Sequence, residues 1–306
     1  MYFTIGFILV FVSVIGGYVG IGGALHVLWQ PFEFLIIGGA GIGQFIIGNP
    51  KSVVSGVIGS FGKIFKGSKF DKVSYLDLFS VLYLVFRVAK TKGDLALEGH
   101  VDAPEDSPIF NLFPGFTSNH HALNFLCDYL RLFTLGTTRA HEAESVMDQE
   151  LENTHNEEHL ISNAIDEMGQ AFPALGIVAA VLGIIHTMGS ITEPPEVLGH
   201  LIGGALVGTF FGILLSYGLV SPMASSLRKT HQADSRYLEC IKVALIAHMQ
   251  GYAPQVSIEF ARKLLPPDIR PSFIEVEVKI QTIPSDILRP NSIEVEETTE
   301  AIPSDI

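Results

Sequence analysis

The sequence predicts an all-α membrane protein: four transmembrane helices, with a helical cytoplasmic domain formed by the loop between spans 2 and 3 and by the C-terminal segment. Three observations predict it. Charged residues make up only 17% of the 306, against about 25% in a soluble domain, and mean hydropathy is +0.38. Four uncharged apolar runs lie at about 2–22, 34–49, 170–189 and 200–220. Between them the apolar residues recur at helical spacing, with no sustained alternation of period two.

The first run has no basic region before it and is too long for the apolar part of a signal peptide, so it reads as a retained span. Its Gly16, Gly20 and Gly23 form a smooth stripe, repeated in Gly204, Gly208 and Gly212, where a second helix can approach closely. The second run reaches the lower limit for a span, ~17 residues, only with flanking Phe32 and Pro50. Glu33 is the only acid in the first fifty residues. The third run carries Pro173 one turn inside, where proline removes a backbone hydrogen bond and acts either as a start signal or as a hinge.

All nineteen Lys and Arg fall in 51–139 or from 228 onward, and none in the connections 23–33 and 190–199. The positive-inside bias then places the large loop and the tail in the cytoplasm, with both termini there.

The loop 51–168 is too long to be bare. Apolar residues at helical spacing predict helices over 74–92, 121–135 and 137–165, the first two separated by Pro104, Pro108 and Pro114. A further helix is expected over 227–248. The expected division is 1–50 (spans 1 and 2), 51–168 (cytoplasmic helical domain), 169–222 (spans 3 and 4), 223–269 (C-terminal helical segment) and 270–306. That last stretch is an acidic tail in which RPSFIEVEVKIQTIPSDI recurs as RPNSIEVEETTEAIPSDI after nineteen residues. It reads as a duplicated disordered tail.

Several classes are disfavoured. A net charge of −13 argues against a nucleic-acid binder. Cys127 and Cys240 make neither a disulfide scaffold nor a zinc spacing. GGAGIG at 38–43 has no preceding strand and no following Lys-Ser/Thr, so helix packing explains it better than a phosphate loop. His155 and His159 lack the metalloprotease order. No catalytic constellation appears, so an enzyme is not expected, nor a cofactor or metal. The polar inventory of the spans is Gln44, His186, Thr187, Thr209, Ser216 and Tyr217. With no Asp, Glu, Lys or Arg expected at membrane depth, ion conduction would need a carboxylate from a partner.

Five blocks resemble the MotA/PomA family of flagellar stator A subunits, which is related to ExbB/TolQ. They are QPFEFLIIGGAGIGQFIIGN (30–49), LYLVFRVAKTKGDLALEGHVDAP (82–104), AFPALGIVAAVLGIIHTMGSI (171–191), LVGTFFGILLSYGLVSPMASSL (206–227) and GYAPQVSIEFARKLLPPDIRPSFIE (251–275), and LCDYLRL (126–132) also matches. The resemblance covers about 1–277. It implies an inner-membrane stator subunit, five copies around two MotB-type subunits that each bring a membrane carboxylate and a peptidoglycan-binding domain. Ion flux would turn the ring and push the rotor protein FliG. The resemblance places ion path and coupling at Pro173, Ala180, Thr209, Tyr217 and Pro222, and rotor contact at Lys90 and Glu98, with Arg87 and Lys92 beside them. Sodium-driven relatives carry threonines where Ala180 and Gly208 stand here, leaving Thr209 as the one match, so the resemblance implies proton rather than sodium. The alternative is an ExbB/TolQ-type energiser of outer-membrane processes, which the four spans disfavour.

Overall fold

The structure is a computed structural model that describes residues 2–67, 70–136 and 139–283. In chain order the helices are α1 (Tyr2–Gly20), α2 (Leu25–Leu28), α3 (Pro31–Gly48), α4 (Lys51–Lys66), α5 (Lys72–Lys92), α6 (Glu98–Asp102), α7 (Pro114–Thr117), α8 (His120–Thr134), α9 (Ala140–Met188), α10 (Pro195–Leu215), α11 (Ser221–Met249), α12 (Pro254–Lys263) and α13 (Phe273–Gln281). A π-helical turn, Ser216–Val220, joins α10 to α11. No strand occurs among the described residues. Four helical stretches are long and apolar enough to cross a membrane: Phe3–Gly20, Leu25–Gly48, and parts of Ala140–Met188 and Pro195–Met249.

The chain folds as two compact units, 1–71 with 140–243 and 72–139 with 244–306. In the first, α3 starts at Pro31, whose fixed φ and missing N–H suit the first turn of a helix. It ends where the Asn49 amide donates to the Phe45 carbonyl at 2.8 Å. The expected helix over 137–165 and the third span are one unbroken helix, α9, of 49 residues. At 1.5 Å per residue it is roughly 74 Å long, more than twice the ~30 Å of a hydrocarbon core, so its polar half extends beyond the apolar stretch 170–188. α3, α4, α9 and the start of α11 share a core built on Ile37, Val57, Ile64, Ile165, Phe172 and Leu227. α1 buries none of its described residues within the chain. Gly16 and Gly20 meet nothing within 4 Å, so that stripe is unused inside this one chain.

The second unit is built around α5, which buries eleven residues between Tyr75 and Ala89 on all sides. Its neighbours are α7, α12, α13 and the 3₁₀ turn Asp94–Leu97. Fully buried Phe79 and Phe86 each contribute about 1.5–3 kcal/mol of transfer free energy. α8 is amphipathic and starts where the Asn119 side chain accepts from the Ala122 N–H.

The expectation of a disordered 270–306 is corrected for residues 270–283. Ser272 and Glu275 form a reciprocal capping box at the start of α13. Ion pairs Lys72–Glu275 (2.7 Å) and Lys279–Asp77 (3.2 Å) tie α13 to α5, and Val276 is buried beneath it. A capped helix with two cross-links orders where composition alone reads as solvated. Residues 284–306, the end of the first copy and all of the second, lie outside the described residues.

Candidate functional site

Within the first unit, α9 packs closely against α10 and the start of α11 through glycines seven residues apart. A β-carbon added to Gly169 would lie 3.0 Å from Ser221 Oγ, one on Gly176 2.8 Å from the Gly208 carbonyl, and one on Gly183 2.7 Å from the Ala205 β-carbon. Small residues allow this approach where lipid offers no hydrophobic drive. Pro173 stands inside this contact, half-buried in the middle of α9. Having no N–H, it leaves the Gly169 carbonyl without its helical donor. Opposite Gly169, the chain leaves the π-helical turn Ser216–Val220, two residues before Pro222. A single π turn absorbs an irregularity in the backbone ladder, so both spans are irregular where they meet. Gly41 of α3 packs under the Phe172 ring, whereas Gly38, Gly39 and Gly43 of the GGAGIG run meet nothing within 4 Å in this chain.

Ala180 is buried and Thr209 is half-buried beside Gly176. Tyr217 is 71% exposed, and Pro222 also faces outward from the single chain. Pro173, Ala180 and Thr209 therefore share the α9–α10 packing, whereas Tyr217 and Pro222 present an outer surface.

One expectation is corrected. An acid does reach membrane depth: Glu33, in the first turn of α3, directs its carboxylate between α9 and α10, against Gly183 and Gly208. Both glycines lie inside apolar runs. Glu33 Oε2 is buried with no hydrogen-bond partner. The sequence signal was present, a lone acid at the third position of a span. A helix start is also where acids favour the dipole and solvent, and spacing along one helix cannot show that a side chain turns into the next.

In the second unit, Arg87 and Lys90 are exposed on the last turns of α5, with Lys92 at its end. Lys90 Nζ donates to the Gly251 carbonyl at 3.2 Å. Leu97 is buried and anchors the Asp94–Leu97 turn, so Glu98 is displayed at the start of α6. The tertiary fold thus presents the basic end of α5 and an acidic helix start one short turn apart. Nearby, His100 Nδ1 meets Ser107 Oγ at 2.9 Å, and burial and Lys92 lower its pKa.

Sequence reasoning did not single out a polar cluster between α4, α9 and α11. His231 is buried, with Nδ1 3.3 Å from Ser162 Oγ and 3.2 Å from the Glu158 carbonyl. Lys63 pairs with Asp234 at 3.2 Å. Burial first, and then the Asp234 charge, push the Glu158 carboxyl up to about 7, while burial and Lys63 lower His231. Among the described residues no group of three or more His, Cys, Asp or Glu side chains is placed to hold a metal ion.

Four apolar helical stretches, glycine-mediated span packing and a second helical unit define a multi-pass helical membrane subunit. Residues 4–93 match the family described as Motility protein A N-terminal, and residues 119–240 the MotA/TolQ/ExbB proton channel family. The chain is 40% identical to Motility protein A of Escherichia coli strain K12 over 283 residues, 92% of this chain and 96% of that protein. It is 35% identical to Chemotaxis protein LafT of Vibrio parahaemolyticus, over 89% of this chain and 96% of that one. The flagellar MotAB stator complex of Bacillus subtilis matches with a TM-score of 0.67 at 27% identity, covering 86% of this chain and 93% of that chain. The C. jejuni MotAB structure shares the fold, with a TM-score of 0.75 at 20% identity, over 89% and 98%. The chain belongs to the MotA/TolQ/ExbB proton channel family, on its motility protein A side.

Proposed function

We infer that the chain is a stator subunit of the bacterial flagellar motor and, with a MotB-type partner, forms a proton channel whose flux produces torque. The observation that carries the mechanism is that α9, interrupted by Pro173, packs against the π-helical turn that precedes Pro222. Each lacks part of the regular backbone ladder, so this is where two packed spans can change their bend at low cost. α9 and α11 each continue as a single helix out of the apolar region, and a change of bend at that level is carried along them. In this reading the partner's carboxylate takes and releases the proton, and the displacement reaches the surface bearing Lys90 and Glu98. There it acts on the rotor protein FliG through opposite charges.

The same reading supports a homo-pentamer around a dimer of the B subunit, in the inner membrane with both termini cytoplasmic. The distribution of Lys and Arg supports that orientation. It involves neither catalysis nor a cofactor, and the proton is favoured over sodium. An ExbB/TolQ-type energiser is disfavoured, because residues 4–93 match the motility-specific N-terminal family.

The test is complementation: a strain lacking this gene is supplied with the wild-type chain, and swimming and co-purified partners are measured. Restored swimming with a peptidoglycan-binding partner is expected. Recovery of a TonB-like partner without motility would overturn the reading.

A further inference from the structure

Glu33 has no part in the mechanism above, yet its position is the most demanding of any acid in the spans. An acid at a helix start ordinarily turns to the free backbone N–H groups or to water. Glu33 turns instead to the backbones of α9 and α10. A β-carbon on Gly208 would fall on its carboxylate, and one on Gly183 would lie 3.2 Å from Oε1. Ala179 and Ala205 close the sides, each within about a methyl contact of where those β-carbons would stand, at 3.1 and 2.7 Å. The carboxyl fits only because positions 183 and 208 carry no side chain.

Nothing there holds a negative charge. Oε2 is buried and reached by no donor. The two neighbouring polar side chains are otherwise engaged: the Gln30 amide donates to the Val27 carbonyl at 3.2 Å, and the Thr187 hydroxyl to the Gly183 carbonyl at 2.9 Å. Neither apolar run contains Lys or Arg. In the four apolar runs and the two short connections, the charged or histidine side chains besides Glu33 are His26, His186, Glu193, Glu196 and His200. The rings of His26 and His200 lie near each other in a tilted arrangement, centroids 5.7 Å apart. Glu33 as a whole is half-buried, and an ionisable group among membrane helices without a paired charge is a functional-site signal.

We propose that Glu33 is a proton-carrying group of this chain's own, on the outer part of the route by which protons reach the partner's carboxylate. Gly183 and Gly208 are the sequence's provision for it. In its seat the carboxyl carries a proton. Its O–H bond breaks as the proton passes to a water molecule or to the partner's carboxylate, and re-forms when Glu33 takes a proton from water on the outer side. No electrons are exchanged and one proton enters for each that leaves. This role also links Glu33 to ion choice: a threonine at position 208 would occupy the space that the carboxyl fills.

The proposal rests on the proton-channel reading and is tested on the complex of this chain with its B-type partner. Wild type, Glu33→Gln and Glu33→Asp are compared in membrane vesicles by proton flux and by infrared difference spectra across a pH step. In wild type, flux and a carboxylic-acid C=O band assigned to Glu33 are expected. Glu33→Gln, which keeps the shape and loses the exchangeable proton, should lose that band and most of the flux while still co-purifying. Glu33→Asp, which keeps the proton, should recover flux with an altered pH profile. Two variants that behave alike, both normal or both inactive, would assign Glu33 a packing role and overturn the proposal. A wild-type complex without proton flux would overturn the channel reading itself, and this proposal with it; normal wild-type flux with normal Glu33→Gln flux would overturn the proposal alone.

Discussion

The carbonyl of Phe172 is pressed against the Cα of Gly212: a β-carbon on Gly212 would lie 2.5 Å from that oxygen and 2.9 Å from the Cα of Gly176. The residue after Phe172 is Pro173, so the irregular turn of α9 rests directly on a glycine of α10. Gly212→Ala should force the two spans apart and destabilise the complex by about 1–3 kcal/mol, the usual cost of overpacking. Gly62→Ala on α4 is the control. It meets nothing within 4 Å and should be neutral or stabilising by up to about 1 kcal/mol. Thermal unfolding of the purified complexes checks both, and equal melting temperatures would refute the close-packing account.

Pro173→Ala restores the donor that the Gly169 carbonyl lacks. Stability should hold or rise, by at most about 3 kcal/mol, and the variant should insert and assemble. Torque should nevertheless be mostly lost, because the helix now resists the change of bend. Swimming speed set against expression level measures this. Wild-type speed from a stably expressed variant contradicts it.

The charges at the end of α5 and the start of α6 should act modestly and in pairs. Exposed ion pairs are worth about 0–1 kcal/mol, so Lys90→Glu or Glu98→Lys alone should slow swimming without abolishing it. Lys90→Glu also removes the bond to the Gly251 carbonyl, a local effect that Glu98→Lys lacks. Charge reversals on FliG should restore speed for at least one of the two. If no combination does, contact by opposite charge is the wrong account.

Glu158 makes stability depend on pH. Its folded pKa, about 7, lies above its ordinary 4.5, chiefly through burial. A raised value means that its favourable contribution is complete below pH 4.5 and is lost as pH rises through 7. Since the side chain is only partly buried, the loss is discounted for solvent to about 1–2 kcal/mol at pH 8. Glu158→Gln should therefore raise the unfolding temperature at pH 8 and leave it nearly unchanged at pH 4.5. A gain of the same size at both pH values would show that packing, and not charge, is responsible.

Ion choice is checked in sodium-free potassium buffer at fixed proton-motive force. A dehydrated sodium ion needs several oxygen ligands, and Ala180 and Gly208 offer no side-chain oxygen. Speed should be unchanged without sodium. Motility that disappears and returns on adding sodium would reverse the choice. Introducing threonine at 180 and 208 together should lower speed in every buffer, because the side chain at 208 collides with Glu33.

The class and the number of spans were legible in one dimension. Four uncharged runs and the banded Lys and Arg are one-dimensional facts, and hydrocarbon admits few backbone solutions to such a pattern. The long matching blocks carried the family, and Pro173 announced itself because a proline deep in an apolar run breaks a known bond. The tertiary structure alone decided which groups meet. It joined the expected helix over 137–165 to the third span as one helix, tied the helix Phe273–Gln281 of the first repeat to α5 through Lys72 and Lys279, and gathered Glu158, His231 and Lys63 from helices distant in sequence. It also placed Glu33 against Gly183 and Gly208, some 150 and 175 residues further along the chain. Periodicity records the face of one helix, whereas the cost of a buried charge depends on what the neighbouring helices bring to it, and only packing in three dimensions sets that.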